Sequence, residues 1–191
     1  MENVHLTRGP IRTLAIDPGT REMGYAVLEA NEPLYFGVHT FKERTSARSL
    51  LLEGQRFVTD LINTYDPRLF VIEKTFYAKS KRSSLLHVFV EEMKRFAIKR
   101  KLLVLAYAPT TVKKAITGDG AATKREVAET LIRQYPYLAK YLRTDIRTEE
   151  RYWENMFDAV AVGLTGYERA MKQMVCKALE ERARGADGIS G

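Results

Sequence analysis

Hydrophobic positions change their spacing along the chain. Three short apolar runs come first, Arg12 to Ile16, Tyr25 to Leu28 and Leu34 to Phe41, separated by Asp17-Pro18-Gly19-Thr20 and by Asn31-Glu32-Pro33. Runs of this length between turn residues predict strands, and such short links favour an antiparallel meander. From Ala47 to Tyr65 the apolar residues fall at Leu50/Leu51, Phe57/Val58 and Leu61/Ile62, a helical stripe that stops at Asp66-Pro67, because the residue before proline is pushed out of helical geometry. Leu69 to Ile72 reads as a compact buried strand, Leu85, Leu86, Phe89, Met93 and Phe96 mark a second amphipathic helix, and Leu102 to Tyr107 reads as a fifth strand. After Pro109 the pattern predicts a short helix, a small-residue loop from Gly118 to Ala122, and a helix from Thr123 to Tyr135 with Thr123 as its N-cap. Tyr135 to Tyr152 is irregular. Trp153, Met156/Phe157, Val160, Leu164 and Tyr167 then resume helical spacing, in a last helix that packs on the core and runs to about Arg182.

Meander strands followed by helix, strand, helix, strand and helices describe an α/β protein. Its sheet is five-stranded and mixed, antiparallel first and parallel later, with helices on both faces. That order is the RNase H-like architecture. A chain of 191 residues supports one good core, and no repeat, low-complexity tract or linker divides it. Residues 1–184 are therefore expected to form a single domain, and 185–191, Gly-Ala-Asp-Gly-Ile-Ser-Gly, a flexible tail with nothing to bury.

Composition narrows the function classes. Apolar residues at 45% with charged residues at 29% exclude a disordered chain. The single cysteine, Cys176, cannot form an intramolecular disulfide, and with three scattered histidines it supplies no zinc-ligand spacing. A reducing compartment follows. The start, Met-Glu-Asn-Val-His-Leu, lacks the apolar stretch of a secretion signal, and no segment approaches the roughly 18 apolar residues that cross a bilayer. The expectation is a cytoplasmic protein without a membrane partner. Lys and Arg outnumber Asp and Glu by 31 to 24, a net charge of +7, which fits a polyanionic partner but equally a basic surface that simply faces solvent.

Three acids stand at costly positions. Asp17 ends the run Leu-Ala-Ile, Glu73 ends Phe-Val-Ile, and Asp158 lies in the last helix beside core positions. Carboxylates at the ends of buried strands need a partner or a metal to offset desolvation. Singly, Asp17 also reads as a turn residue, Glu73 as a partner for a lysine, and Asp158 as an exposed helix acid. Together they read differently: with strands one and four adjacent, Asp17 and Glu73 emerge side by side, and the last helix can bring Asp158 to them. Clustered carboxylates repel unless cations neutralise them, and oxygen-only ligands suit Mg²⁺ or Mn²⁺. Two such ions roughly 4 Å apart clamp both reacting oxygens of a phosphodiester, so phosphodiester hydrolysis is the chemistry expected.

Four blocks, IDPGTREMGYAVLE, VIEKTFYAKS, APTTVKKAITGDGAATKREV and FDAVAVGL, resemble in order and spacing those of the RuvC Holliday junction resolvases. The resemblance implies a Mg²⁺-dependent endodeoxyribonuclease holding two ions, with Mn²⁺ able to substitute. It assigns Asp17, Glu73 and Asp158 as ligands, and places Lys113 and Lys124 near the scissile phosphate. It implies a homodimer acting on four-way or other branched DNA, with a branch-migration helicase as a further partner. The family pattern has Asp or His three residues before the final Asp, where this chain has Asn155, preceded by Glu154. Both share a helical face with Asp158. A carboxylate is the better Mg²⁺ ligand, which favours Glu154 as the fourth, while weak coordination by Asn155, or an impaired homologue, stays open.

The loop after Glu73 carries Phe76 and Tyr77 among Lys79, Lys81 and Arg82. By resemblance Phe76 inserts at an unpaired junction base, where stacking contributes about 1 to 3 kcal/mol; folding back on the domain is the alternative. The three basic residues, with Lys113 and Lys124, are the expected phosphate contacts. The Leu85–Phe96 helix face reads as core or as a dimer surface. The segment before Lys124 lacks the Gly-Lys-Ser/Thr ending of a nucleotide-binding loop. Asp-Pro-Gly-Thr after a strand also resembles the phosphate loop of actin-type ATPases, but those need two related domains and this chain has length for one. A module that grips branched DNA without cutting it, and a nuclease acting on flaps, forks or phage intermediates, are the other readings.

Overall fold

β1 (Arg12–Asp17), β2 (Glu22–Glu29) and β3 (Glu32–Thr40) form the meander, and β4 (Leu69–Glu73) and β5 (Leu103–Tyr107) extend the sheet beyond β1, in the order β3-β2-β1-β4-β5. β1 runs antiparallel to β2 and parallel to β4, and β4 parallel to β5. The computed structural model describes residues 9–42, 46–75, 81–142 and 147–187.

The alternation of side chains along a strand divides the core in two. Leu14, Ile16, Phe70 and Ile72 face α1 (Ala47–Tyr65) and α2 (Lys81–Lys99), whose Leu50, Val58, Phe89 and Met93 complete that layer. Ala15, Ala26, Leu28 and Val71 face the opposite way, towards α3 (Pro109–Thr117), α4 (Lys124–Gln134) and α5 (Arg147–Asp187). The mixed sheet with helices on both faces is thus as the sequence predicts. Phe89, Val90, Met93 and Ala97 of α2 are buried in the core, so its main apolar stripe serves packing. Among the described residues no helix is long and apolar enough to cross a membrane.

Several boundaries differ from expectation, each for a local reason. β2 begins at Glu22 and not at Tyr25: Gly24, which weakens a strand reading, is in fact paired opposite Asp17. β3 begins at Glu32, because Glu29 and Glu32 pair across a tight Ala30-Asn31 link with Ala30 at φ 54°. Pro33 fits there because β3 is an edge strand, where proline is tolerated. The stretch after Tyr135 is an ordered 3-10 helix, Pro136–Tyr141, with Leu138 fully buried, and the Tyr135 hydroxyl donates to the Asn31 carbonyl. α5 begins at Arg147, before the Trp153 that marks its stripe, and continues through Asp187, three residues into the segment read as a tail.

Candidate active site

Strand register does the first part of the assembly. Ile16 pairs with Ile72 across the parallel β1–β4 ladder, so the next residues, Asp17 and Glu73, leave the two strands together at their C-terminal ends. Alternation puts Asp17 on the side of Ala15 and Glu73 on the side of Val71, the face covered by α5. β5 brings Tyr107 opposite Glu73, a tyrosine whose ring carries the Arg169 guanidinium of α5 at 5.1 Å.

Close packing of α5 does the second part. A Cβ at Gly24, opposite Asp17, would stand 1.8 Å from the Asn155 carbonyl oxygen, and one at Gly166 would stand 2.4 Å from Val71 Cγ2. Only hydrogen at these positions lets the helix backbone lie directly on the strands. One turn beyond Asn155, Asp158 then comes within electrostatic reach of both Asp17 and Glu73. Gly24 was not singled out from sequence, although a glycine inside a strand is itself a sign of close backbone approach.

The third part is a cation aimed at the acids. Gly118, at φ 85°, ends α3, and Asp119 Oδ1 accepts from the Ala121 N–H at 2.9 Å. That turn leads into Thr123, which caps α4 in a reciprocal capping box with Glu126. Lys124 is consequently the first residue of a fixed helix. Its Nζ donates to Asp158 Oδ2 at 2.5 Å and stands 3.7 Å from Glu154 Oε2. The bland reading of Asp158 as an acid exposed to solvent fails, since its side chain is 19% exposed and paired.

Electrostatics follow from this crowding. Desolvation, then Asp158, pushes the Glu73 carboxyl up to about 7, with Lys124 and Lys113 pulling the other way. Asp17 is raised well above the usual carboxylate range by burial, then by Asp158 and Glu73. Burial alone would lower Lys124, but Asp158, Asp17 and Glu154 more than offset it and the ammonium is held above its ordinary value. Negative charge exceeds positive here, and all donors are oxygens, the set that fits a hard divalent cation. Among the described residues no three acidic, His or Cys side chains already stand as a closed ligand group, and Asp158 is engaged by Lys124.

A family model described as crossover junction endodeoxyribonuclease RuvC matches residues 13–166, about four fifths of the chain. The chain belongs to the RuvC family. Curated RuvC proteins similar to it include that of Akkermansia muciniphila, 28% identical over 81% of this chain and 89% of its own length. That of Synechococcus is 29% identical over 82% and 98%. Among solved structures, Thermus thermophilus RuvC in complex with Holliday junction substrate superposes with a TM-score of 0.64 at 21% identity, covering 84% of this chain and 96% of that one. The yeast mitochondrial Holliday junction resolvase Ydc2 gives 0.58 at 16%, covering 90% and 87%. These structural likenesses establish the RNase H-like fold.

Of the residues singled out in the sequence, the structure gathers Asp17, Glu73, Asp158, Lys124 and Glu154 in one place, with Lys113 of α3 near enough to act on Glu73. Asn155 differs: its backbone carbonyl lies over Gly24. Phe76, Tyr77 and Lys79, and the side chains of Lys81 and Arg82 at the start of α2, lie outside the described residues. Sequence reasoning missed the approach of Glu154 to Lys124, which depends on α4 and α5 meeting at one end.

Proposed function

We propose that this RuvC-family chain resolves four-way DNA junctions by paired symmetric nicks, as a cytoplasmic homodimer with Asp17, Glu73 and Asp158 as its metal ligands. The observation that carries the reading is the meeting of those carboxylates and Lys124 at the C-terminal ends of β1 and β4. Asp17, Glu73 and Asp158 would hold two Mg²⁺ or Mn²⁺ ions, which would supply activation of a water and neutralisation of charge at the departing 3′ oxygen, so that hydrolysis would leave a 5′ phosphate. Lys124 offers its ammonium to the charge that develops on the scissile phosphate, and Lys113 supports it from α3. Phe76 and Tyr77 stack on bases where the junction opens, while Lys79, Lys81 and Arg82 hold phosphates and set register. A four-way junction has approximate two-fold symmetry, which a dimer with isologous contacts matches by presenting two sites. A branch-migration helicase is the natural supplier of such a substrate.

The test uses end-labelled four-way junction, fork and plain duplex, each with Mg²⁺ or EDTA, beside an Asp17→Asn control. Paired symmetric nicks confined to the junction, lost in EDTA and in the control, are the expected result. Cleavage of the fork in preference would assign another branched substrate, and binding without nicks would overturn the nuclease reading.

A further inference from the structure

Glu154 and Asp158 lie one turn apart on α5, on the same helical face, and Lys124 reaches both. The two contacts are unequal. Asp158 Oδ2 is 2.5 Å from Nζ on a side chain 19% exposed, whereas Glu154 Oε2 is 3.7 Å away on a side chain 37% exposed. Asp158 therefore stands on the inner side of the lysine, towards Asp17 and Glu73, and Glu154 on the outer side, where it borders a cleft with Arg125, Tyr141 and Trp153.

We propose that Glu154 is a positioning residue for Lys124 and not a ligand of the divalent cation: Lys124 is a tethered cation shared by two carboxylates, and Glu154 retains it when Asp158 is given over to metal. The inference rests on the metal reading made above. Its physical basis is competition for one carboxylate. An ammonium held against Asp158 repels a divalent cation on the same carboxylate, and Lys124 is anchored at the head of α4 by the Thr123–Glu126 capping box, so it cannot withdraw far. Glu154 offers the displaced ammonium a second carboxylate without removing it from the reaction centre. With Glu154 neutralised, Lys124 loses its second carboxylate and stays on Asp158, and metal must compete with it.

The experiment measures the thermal unfolding midpoint of the full chain against Mg²⁺ concentration for wild type, Glu154→Gln, Lys124→Gln and the double variant. Glu154→Gln is expected to weaken the apparent Mg²⁺ affinity roughly two- to fivefold, the range of a partly exposed ion pair. Lys124→Gln is expected to strengthen it, and Glu154→Gln should change nothing further in the Lys124→Gln background. A coordinating Glu154 predicts otherwise: equal weakening with or without Lys124 overturns the proposal, as does the absence of an effect in both backgrounds. Should Lys124→Gln fail to unfold cooperatively in EDTA, Lys124→Met takes its place in the cycle. A wild type that shows no Mg²⁺-dependent shift sinks the metal reading itself, an outcome distinct from a shift without coupling between Glu154 and Lys124.

Discussion

Replacing Glu73 with glutamine should make the metal-free protein more stable while disabling it. Glu73 ends β4 partly buried, and desolvation together with Asp158 holds its carboxyl at about 7 against an ordinary 4.5. The folded state therefore binds its proton more tightly than the unfolded state does. Below about pH 4.5 the group is neutral in both states and has no effect on stability; as pH rises from there to about 7 the unfolded chain ionises first and stability is lost. Above pH 7 the penalty is complete, and the gap between the two values corresponds to about 3 kcal/mol. Glutamine keeps the shape and removes the charge. At roughly 2 to 4 °C per kcal/mol for a domain of this size, Glu73→Gln in EDTA should melt about 6 to 12 °C above wild type at pH 8, with the difference closing towards pH 4.5. The assay is thermal unfolding followed by circular dichroism across that pH range, with junction cleavage in Mg²⁺ measured alongside. A pH-independent offset, or a variant less stable than wild type at pH 8, would refute the reasoning, because either means that Glu73 is not carrying uncompensated charge.

Other expectations follow from the same geometry. Lys124→Ala should lower single-turnover junction cleavage on the order of 10² to 10³-fold, the scale of losing one preorganised charge, with junction affinity in a gel-shift assay changed far less. Gly24→Ala sets a methyl 1.8 Å from the Asn155 carbonyl; it should destabilise by about 1 to 3 kcal/mol in urea and depress cleavage beyond the loss of folded protein, since α5 must lift Asp158 away from Asp17. Thr123→Ala removes the α4 cap and should cost about 1 kcal/mol, together with a fall in cleavage rate as Lys124 loses its anchorage. Phe76→Ala should impair junction cleavage while leaving the Mg²⁺-dependent rise in melting temperature intact.

Much of this molecule was legible from residue order, and the parts that were not share a cause. The strands from Arg12, Leu34 and Leu69, the stripe of α1 and the cap at Thr123 are local: each is set by neighbours a few residues away, so turn residues, apolar spacing and one hydroxyl suffice to read them. Asp17 and Glu73 were legible as candidates for the same reason, since a carboxylate at the end of an apolar run is conspicuous wherever the run lies, and Asp158 because it stands beside core positions in the last helix. What chain order could not convey were quantities set by distance through space. The start of β2 depended on Gly24 pairing opposite Asp17, and the need for glycine there on the backbone of a helix more than a hundred residues later. The ordered turn after Tyr135 depended on Leu138 finding the core and on the tyrosine hydroxyl finding the Asn31 carbonyl. The partnership of Lys124 with Asp158 and Glu154 depended on the angle at which α4 meets α5, which side-chain packing decides. Residue identity determined which chemistry was available to this protein; tertiary packing alone decided which charges share a low-dielectric space, because Coulomb energy depends on separation and solvent, and neither is a property of sequence position.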